Sequence, residues 1–153
     1  MQQYSTYNAY TIYNPTGNIA IESGSISSRA LGPSYGIYNG SGTIIIGDPE
    51  PSDSPNYGGA NADVSTTSPD ISAISTSTSN SYKTGIGVKN ASGGRVEYYD
   101  GKVSGNTAAF GEEPTVTEHL YEVCTELDTT TTPNLYTAKL FWMRDGQSTC
   151  GNN

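Results

Sequence analysis

The stretch "YGIYNGSGTIIIG", Tyr35 to Gly47, restates "YTIYNPTGNIAIE", Tyr10 to Glu22, at a spacing of 25 residues. A third copy, "TGIGVKNASGGRVEYY", runs from Thr84 to Tyr99. Aligned on Asn14, Asn39 and Asn90, each copy has an aliphatic residue two places earlier: Ile12, Ile37 and Val88. Each then has a small hydroxyl residue and a glycine: Thr16-Gly17, Ser41-Gly42 and Ser92-Gly93. Alternating apolar residues follow: Ile19 and Ile21, Ile44 and Ile46, Val96 and Tyr98, with one extra residue in the third copy. Two copies continue in step, Gly24, Ile26 and Ser27 matching Gly101, Val103 and Ser104. The middle copy leaves register after Gly47, and Val64-Ser65 reads as its delayed return.

Apolar residues at period two make short strands with one face turned inward. Asn and Gly tolerate the left-handed backbone of a tight corner between strands. A unit of about 25 residues cannot bury its own apolar face, but it can do so against identical neighbours, which is how solenoids are stabilised. The expectation is therefore an all-β fold of about four or five parallel turns spanning Tyr10 to Gly111. Like positions would stack about 4.8 Å apart, with Asn14 and Asn39 in an amide ladder and Asn90 further along. Ile12, Ile19, Ile21, Ile37, Ile44, Ile46, Val88, Val96 and Val103 would line the interior. Val88 follows Ile37 by two repeat lengths, so "DISAISTSTSNSY", Asp70 to Tyr82, is expected to form a degenerate turn between them. The competing architecture is a β-sandwich in which the same Asn and Gly residues mark ordinary hairpins. No helical period competes, since Glu112 to Leu127 is interrupted by Pro114 and carries β-branched residues.

Only 33% of the residues are hydrophobic, which raises the question of disorder. Charged residues are just 14%, however, and the apolar residues fall in regular clusters. The 12 tyrosines add ring area that buries while the hydroxyl stays wet. A formal charge of −8 and seven scattered Lys and Arg leave no basic stripe for nucleic acid. No apolar run approaches the about 20 residues of a membrane span. The start, "MQQYSTYNAY", lacks the charged and apolar regions of a signal peptide.

Beyond Gly111 five acids gather: Glu112, Glu113, Glu118, Glu122 and Glu126. Leu120 with Val123, then Tyr136, Ala138, Leu140 and Trp142, read as two strands joined through "DTTTTPN". Open strand edges template aggregation, so residues 112–153 are expected to form a C-terminal capping hairpin of one domain spanning 1–153. Cys124 and Cys150 are expected to close a disulfide that staples the tail to this cap, two free thiols being the alternative.

The insert "DPEPSDSPNYGGANAD", Asp48 to Asp63, is the candidate interaction loop, with Asp48, Glu50, Asp53, Tyr57 and Asp63 as its exposed chemistry. Its acids suit oxygen ligation of calcium, but their spacing matches no EF-hand or nonapeptide pattern, so a solvated loop without metal is expected. His119 is the only histidine and no nucleophile motif accompanies it. Neither a Walker-type loop nor a C-x-x-C pair occurs. No catalytic, cofactor-binding or metal residue is therefore assigned. Glu97 and Asp100 near Arg95 and Lys102 are the least poor candidates for a lyase or hydrolase. Alternating charge on an exposed strand explains them more simply. An inverting glycosidase also needs two carboxyls about 6.5–9.5 Å apart, and neighbouring turns carry no matching acid. The tyrosines at the corners, Tyr13, Tyr35 and Tyr38, do not spell out a ligand.

The units "YGIYNGSGTIIIG", "DVSTTSPDIS" and "VEYYDGKVSGNTAAFG" resemble the irregular right-handed parallel β-helix repeats of bacterial surface proteins. They are most similar to those of Gram-positive gut bacteria, over roughly Tyr10 to Gly111. The resemblance implies an extracellular, wall- or appendage-associated module with a structural or adhesive role. It carries over no catalytic residue. A stalk, appendage subunit or adhesin is the expected function, with a glycan, a host or neighbouring-cell protein, or a head-to-tail second copy as partner. The alternative is a carbohydrate-binding or polysaccharide-degrading β-helix fragment.

Overall fold

In the computed structural model, residues 7–47, 68–116, 121–143 and 146–150 are described. The candidate loop residues Asp48, Glu50, Asp53, Tyr57 and Asp63 lie outside them, as do Val64-Ser65 and His119. The described residues form β1 (Ala9–Asn14), β2 (Asn18–Ile21), β3 (Ser25–Ala30), β4 (Ser34–Asn39), β5 (Thr43–Ile46) and β6 (Asp70–Ser75). They continue through β7 (Gly85–Asn90), β8 (Arg95–Tyr98), β9 (Lys102–Gly105), β10 (Ala108–Phe110), β11 (Tyr121–Asp128) and β12 (Leu135–Trp142). The fold is all-β, and among the described residues no helix is long and apolar enough to cross a membrane.

Three sheets result: β1-β4-β7-β10, β2-β5-β8, and β3-β6-β9 extended by β12 and β11. From β1 to β10 the chain visits the sheets in strict rotation, so every third strand returns to lie parallel beside its predecessor. The register is like upon like. Ile12 pairs with Ile37 and Ile37 with Val88, while Asn14 pairs with Asn39 and Asn39 with Asn90. Ile19 pairs with Ile44 and Ile44 with Val96 in one sheet, which excludes the hairpin sandwich.

One expectation fails. No turn stands between Ile37 and Val88, because β4 pairs directly with β7. The segment Asp70–Ser75 is instead the third strand of the second pass, set on β3 with Ile26 opposite Ile71 and Ser27 opposite Ser72. The true continuation of the middle copy is therefore Ile71-Ser72. Stacking matches strands, not the connections between them, and the entropy cost of a longer connection grows only slowly with its length. The long spacing is an insertion within one pass. Three passes are complete, and β10 with the Thr115–Glu97 bridge begins a fourth.

Ile21, Ile37, Ile44, Ile46, Val88, Val96 and Val103 are buried as expected, together with Ile71 and Tyr98. Ile12 and Ile19 are only partly buried, and among the described residues β1 and β2 have a neighbouring strand on one side only. Full burial of each large aliphatic contributes about 1.5–3 kcal/mol, which is how a chain of this composition sustains a core. Small residues set the approach of the first and third sheets. A Cβ on Gly36 would lie 2.7 Å from Gly87 O and 2.9 Å from Ile71 Cγ2. Thr11 holds that position in the first pass, and its hydroxyl donates across to Ser27 O at 2.6 Å.

The C-terminal strands form an antiparallel hairpin, from Tyr121 opposite Trp142 to Asp128 opposite Leu135. β12 also pairs antiparallel with β9, Ala138 opposite Val103, and Ala138 and Leu140 are fully buried in the core. The buried Tyr98 hydroxyl shares its proton between Gly101 O and Ala138 O, tying the corner between β8 and β9 to the hairpin. Cys124 and Cys150 are disulfide-bonded with a Cα–Cα distance of 5.4 Å, and no described cysteine is free.

Candidate functional site: an aromatic face

Strand β4 does not alternate cleanly. Gly36 and Ile37 are consecutive and both buried, as are Ser34 and Asn39, which leaves Tyr35 and Tyr38 on the outer face. β1 repeats the arrangement with Tyr10 and Tyr13. The parallel register places Tyr10 beside Tyr35 and Tyr13 beside Tyr38.

Four rings thus form one cluster. Tyr10 and Tyr35 stack with centroids 5.5 Å apart and planes at 23°. Tyr10 also lies 5.3 Å from Tyr13 and 5.2 Å from Tyr38. Tyr38 meets Tyr13 and Tyr35 at 5.7 Å each, the latter edge to face. Such contacts contribute about 0.5–1.5 kcal/mol per pair beyond area burial, so the rings hold one another in place. Tyr13 remains 57% exposed and Tyr10 37%, so the platform faces solvent. Asn8 Nδ2 donates to the Tyr10 hydroxyl at 2.8 Å. Burial pushes the Tyr35 phenol above its ordinary value, with Tyr10 adding to the effect and Lys89 opposing it. That phenol stays protonated at neutral pH and offers a donor at the rim of an apolar surface. Register extends the face to Ile86 and Lys89, beside Tyr35 and Tyr38. Lys89 is ion-paired to Glu112, whose second oxygen accepts the Asn90 N–H at 2.9 Å.

Tyr13, Tyr35 and Tyr38 stand out in the sequence as corner residues, but their union with Tyr10 does not. The signal was present: both tyrosine pairs share the 25-residue spacing of Asn14 and Asn39.

The acids on β8 and its corner are otherwise engaged. Arg95 Nε donates to Glu97 Oε1 at 2.7 Å and the Tyr99 hydroxyl to Glu97 Oε2 at 3.0 Å. The Arg95 hydrogen bond, reinforced by Tyr99 against a smaller effect of burial, holds the Glu97 carboxyl below its ordinary range. A general acid needs the opposite shift. Asp100 Oδ1 accepts the Gly101 N–H at 2.6 Å in the following corner.

Glu122, Cys124 and Cys150 converge closely enough to suggest a metal site, but both sulfurs belong to the disulfide. Glu122 Oε1 accepts the Thr149 N–H at 2.6 Å and pins the tail. A cleft of about 440 Å³ lies on the outer face of the hairpin, lined by Lys102, Glu126, Asp128, Thr130 and Lys139 among others. Asp128 there is held below its ordinary range by hydrogen bonds from the Thr130 hydroxyl and backbone N–H. Its charges of both signs and its open shape define no reaction centre.

Comparison with protein-family models, curated proteins and solved structures gave no match to this chain.

Proposed function

We propose that the three sheets are the sides of a short right-handed parallel β-helix over residues 10–111, closed by residues 112–153 as a cap, in one domain. Rotation through three sheets with like residues in register supports the coil. Its hand follows from the strong right-handed preference of parallel crossover connections. On this reading the chain is a non-catalytic extracellular module of a surface protein, a stalk or appendage element that also adheres. The disulfide suits an oxidising compartment, and the repeat resemblance to bacterial surface proteins points the same way.

The single observation that carries adhesion is the tyrosine cluster Tyr10, Tyr13, Tyr35 and Tyr38. Flat rings with hydroxyls at their rims suit the C–H faces and hydroxyls of a neutral glycan. A chain of charge −8 repels acidic polysaccharides. The degrading-enzyme alternative draws no support from Glu97, which is committed to Arg95.

A glycan array with a turnover assay on the bound glycans tests this reading. Binding of neutral glycans that falls at least tenfold in Tyr35→Ala and Tyr38→Ala, without turnover, is the expected result. Turnover abolished by Glu97→Gln would replace it with the enzymatic reading. Glycan binding indifferent to both tyrosine variants would remove the aromatic face from the account.

A further inference from the structure

The two ends of the coil differ. At the C-terminal end β10 lies on β7, Thr115 bridges to Glu97, and β12 pairs with β9. At the N-terminal end β1, β2 and β3 are edge strands of all three sheets, paired on one side only among the described residues. Their inward residues show it. Ile12, Ile19 and Ile26 are partly exposed, while their register partners Ile37, Ile44 and Ile71 are 0% exposed.

A second observation comes from the asparagine ladder, which has a direction. Asn14 Nδ2 donates to Asn39 Oδ1, and Asn39 Nδ2 donates to Asn90 Oδ1, each at 2.8 Å. Each amide also donates to a backbone carbonyl of its own corner, Gly17 O, Gly42 O or Gly94 O. The oxygens of Asn39 and Asn90 thus face the preceding pass. Asn14, only 4% exposed, has its oxygen at the head of the ladder, and no hydrogen bond reaches it from any described residue. This oxygen therefore stands where Asn39 Oδ1 and Asn90 Oδ1 each receive the amide of the preceding corner, and an N–H from one more corner would continue the ladder.

The geometry points to the face formed by β1, β2 and β3 as a docking site for one further parallel turn of the same repeat, whose corner asparagine donates to Asn14 Oδ1. This inference rests on the coil reading above. The partner is a segment of about 25 residues with aliphatics to cover Ile12, Ile19 and Ile26, adding strands to three edges at once. The docking continues the interface by which the second pass already sits on the first. A head-to-tail second copy fits less well. Its C-terminal end presents β10 as a parallel edge, but its third sheet is closed by the antiparallel β12 and its second is bridged by Thr115. At its ladder position stands the region of Glu112, which already accepts the Asn90 N–H.

The test is a tandem duplication of residues 9–33 inserted before Ala9 in the full chain, which preserves the repeat spacing. Amide exchange of the original β1, β2 and β3 should slow more than tenfold, with a higher Tm. The same duplication carrying Asn14→Asp in the added copy offers no N–H and should lose most of that protection. Unchanged exchange in the original β1 to β3, or equal protection by the Asp-bearing copy, would overturn the inference. Sedimentation of the unmodified chain as a dimer with β1 to β3 already protected would also overturn it, in favour of pairing between two copies. Protection of β4 to β9 in the unmodified chain reports on the coil itself, so its failure is read separately.

Discussion

Asn39 donates its side-chain amide to Asn90 Oδ1 at 2.8 Å across 51 residues of sequence. It accepts from Asn14 on its other side at 2.8 Å, and it is 0% exposed. The side chain therefore fixes the same register as the backbone ladders on either side of it. A slip of any pass by one residue would break both amide bonds and turn the apolar set outward.

Replacing this residue should be more damaging than removing a typical hydrogen bond. Asn39→Ala strands an Asn14 donor and the Asn90 acceptor together, while the Gly42 carbonyl keeps the Arg95 N–H. The expected loss is about 2–4 kcal/mol, from more than one unsatisfied buried group. Asn90→Ala, at the half-buried end of the ladder, should lose less. Urea midpoints of the two variants check the order.

Two isoleucines in the same register column separate position in the stack from chemistry. Ile44→Ala empties a site that is 0% exposed, and should destabilise by about 2–5 kcal/mol. Ile19→Ala, its partner on an edge strand, removes a partly exposed group and should lose less than half as much. Equal losses would mean that the first pass is as enclosed as the second.

Gly36 has a packing reason to be glycine. A methyl group there meets the Gly87 carbonyl at 2.7 Å, and that carbonyl belongs to the backbone of the neighbouring strand. Gly36→Ala should destabilise by about 1–3 kcal/mol through overpacking. Thermal unfolding reads it, and a neutral substitution would show that β7 beside Gly36 and Ile71 of the third sheet both give way easily.

The Cys124–Cys150 link joins residues 26 apart in sequence. Loop closure of that size accounts for about 3 kcal/mol, so reduction should lower the unfolding midpoint by a matching amount. Thiol titration of the unfolded, unreduced chain should find no reactive groups. Two reactive thiols would contradict the structure directly.

Glu97 sets a pH dependence whose sign follows from its partners. Its folded pKa is lowered by Arg95 first and Tyr99 second. The stabilisation it contributes is present above the unfolded glutamate value of about 4.3 and disappears as pH falls through the lower folded value. Side-chain carboxyl NMR should place its midpoint below that of the chain's exposed glutamates. Arg95→Ala should move the midpoint upward.

The three aligned copies made much of the interior legible. Parallel stacking rewards identical residues at identical positions, so Ile37, Ile44, Val88 and Val96 declare themselves by spacing. The hairpin was visible too, since Val123 and then Tyr136, Ala138 and Leu140 keep a strand rhythm on either side of "DTTTTPN". The place of Asp70–Ser75 was misread because an even repeat suggests a whole extra turn, whereas the chain inserts residues into an existing one.

The sequence by itself determined the strands, the asparagine corners and the pairing of like with like, because each depends on residue type at matched positions. Only the tertiary structure decided which passes touch, that Gly36 and Ile37 both face inward, and hence that Tyr10, Tyr13, Tyr35 and Tyr38 share one outer face. It also decided that β12 closes the third sheet while, among the described residues, β1, β2 and β3 have a neighbouring strand on one side only. The reason is physical: the length of a connection barely enters the energy of the strands it joins, and period two cannot assign faces where a strand bends.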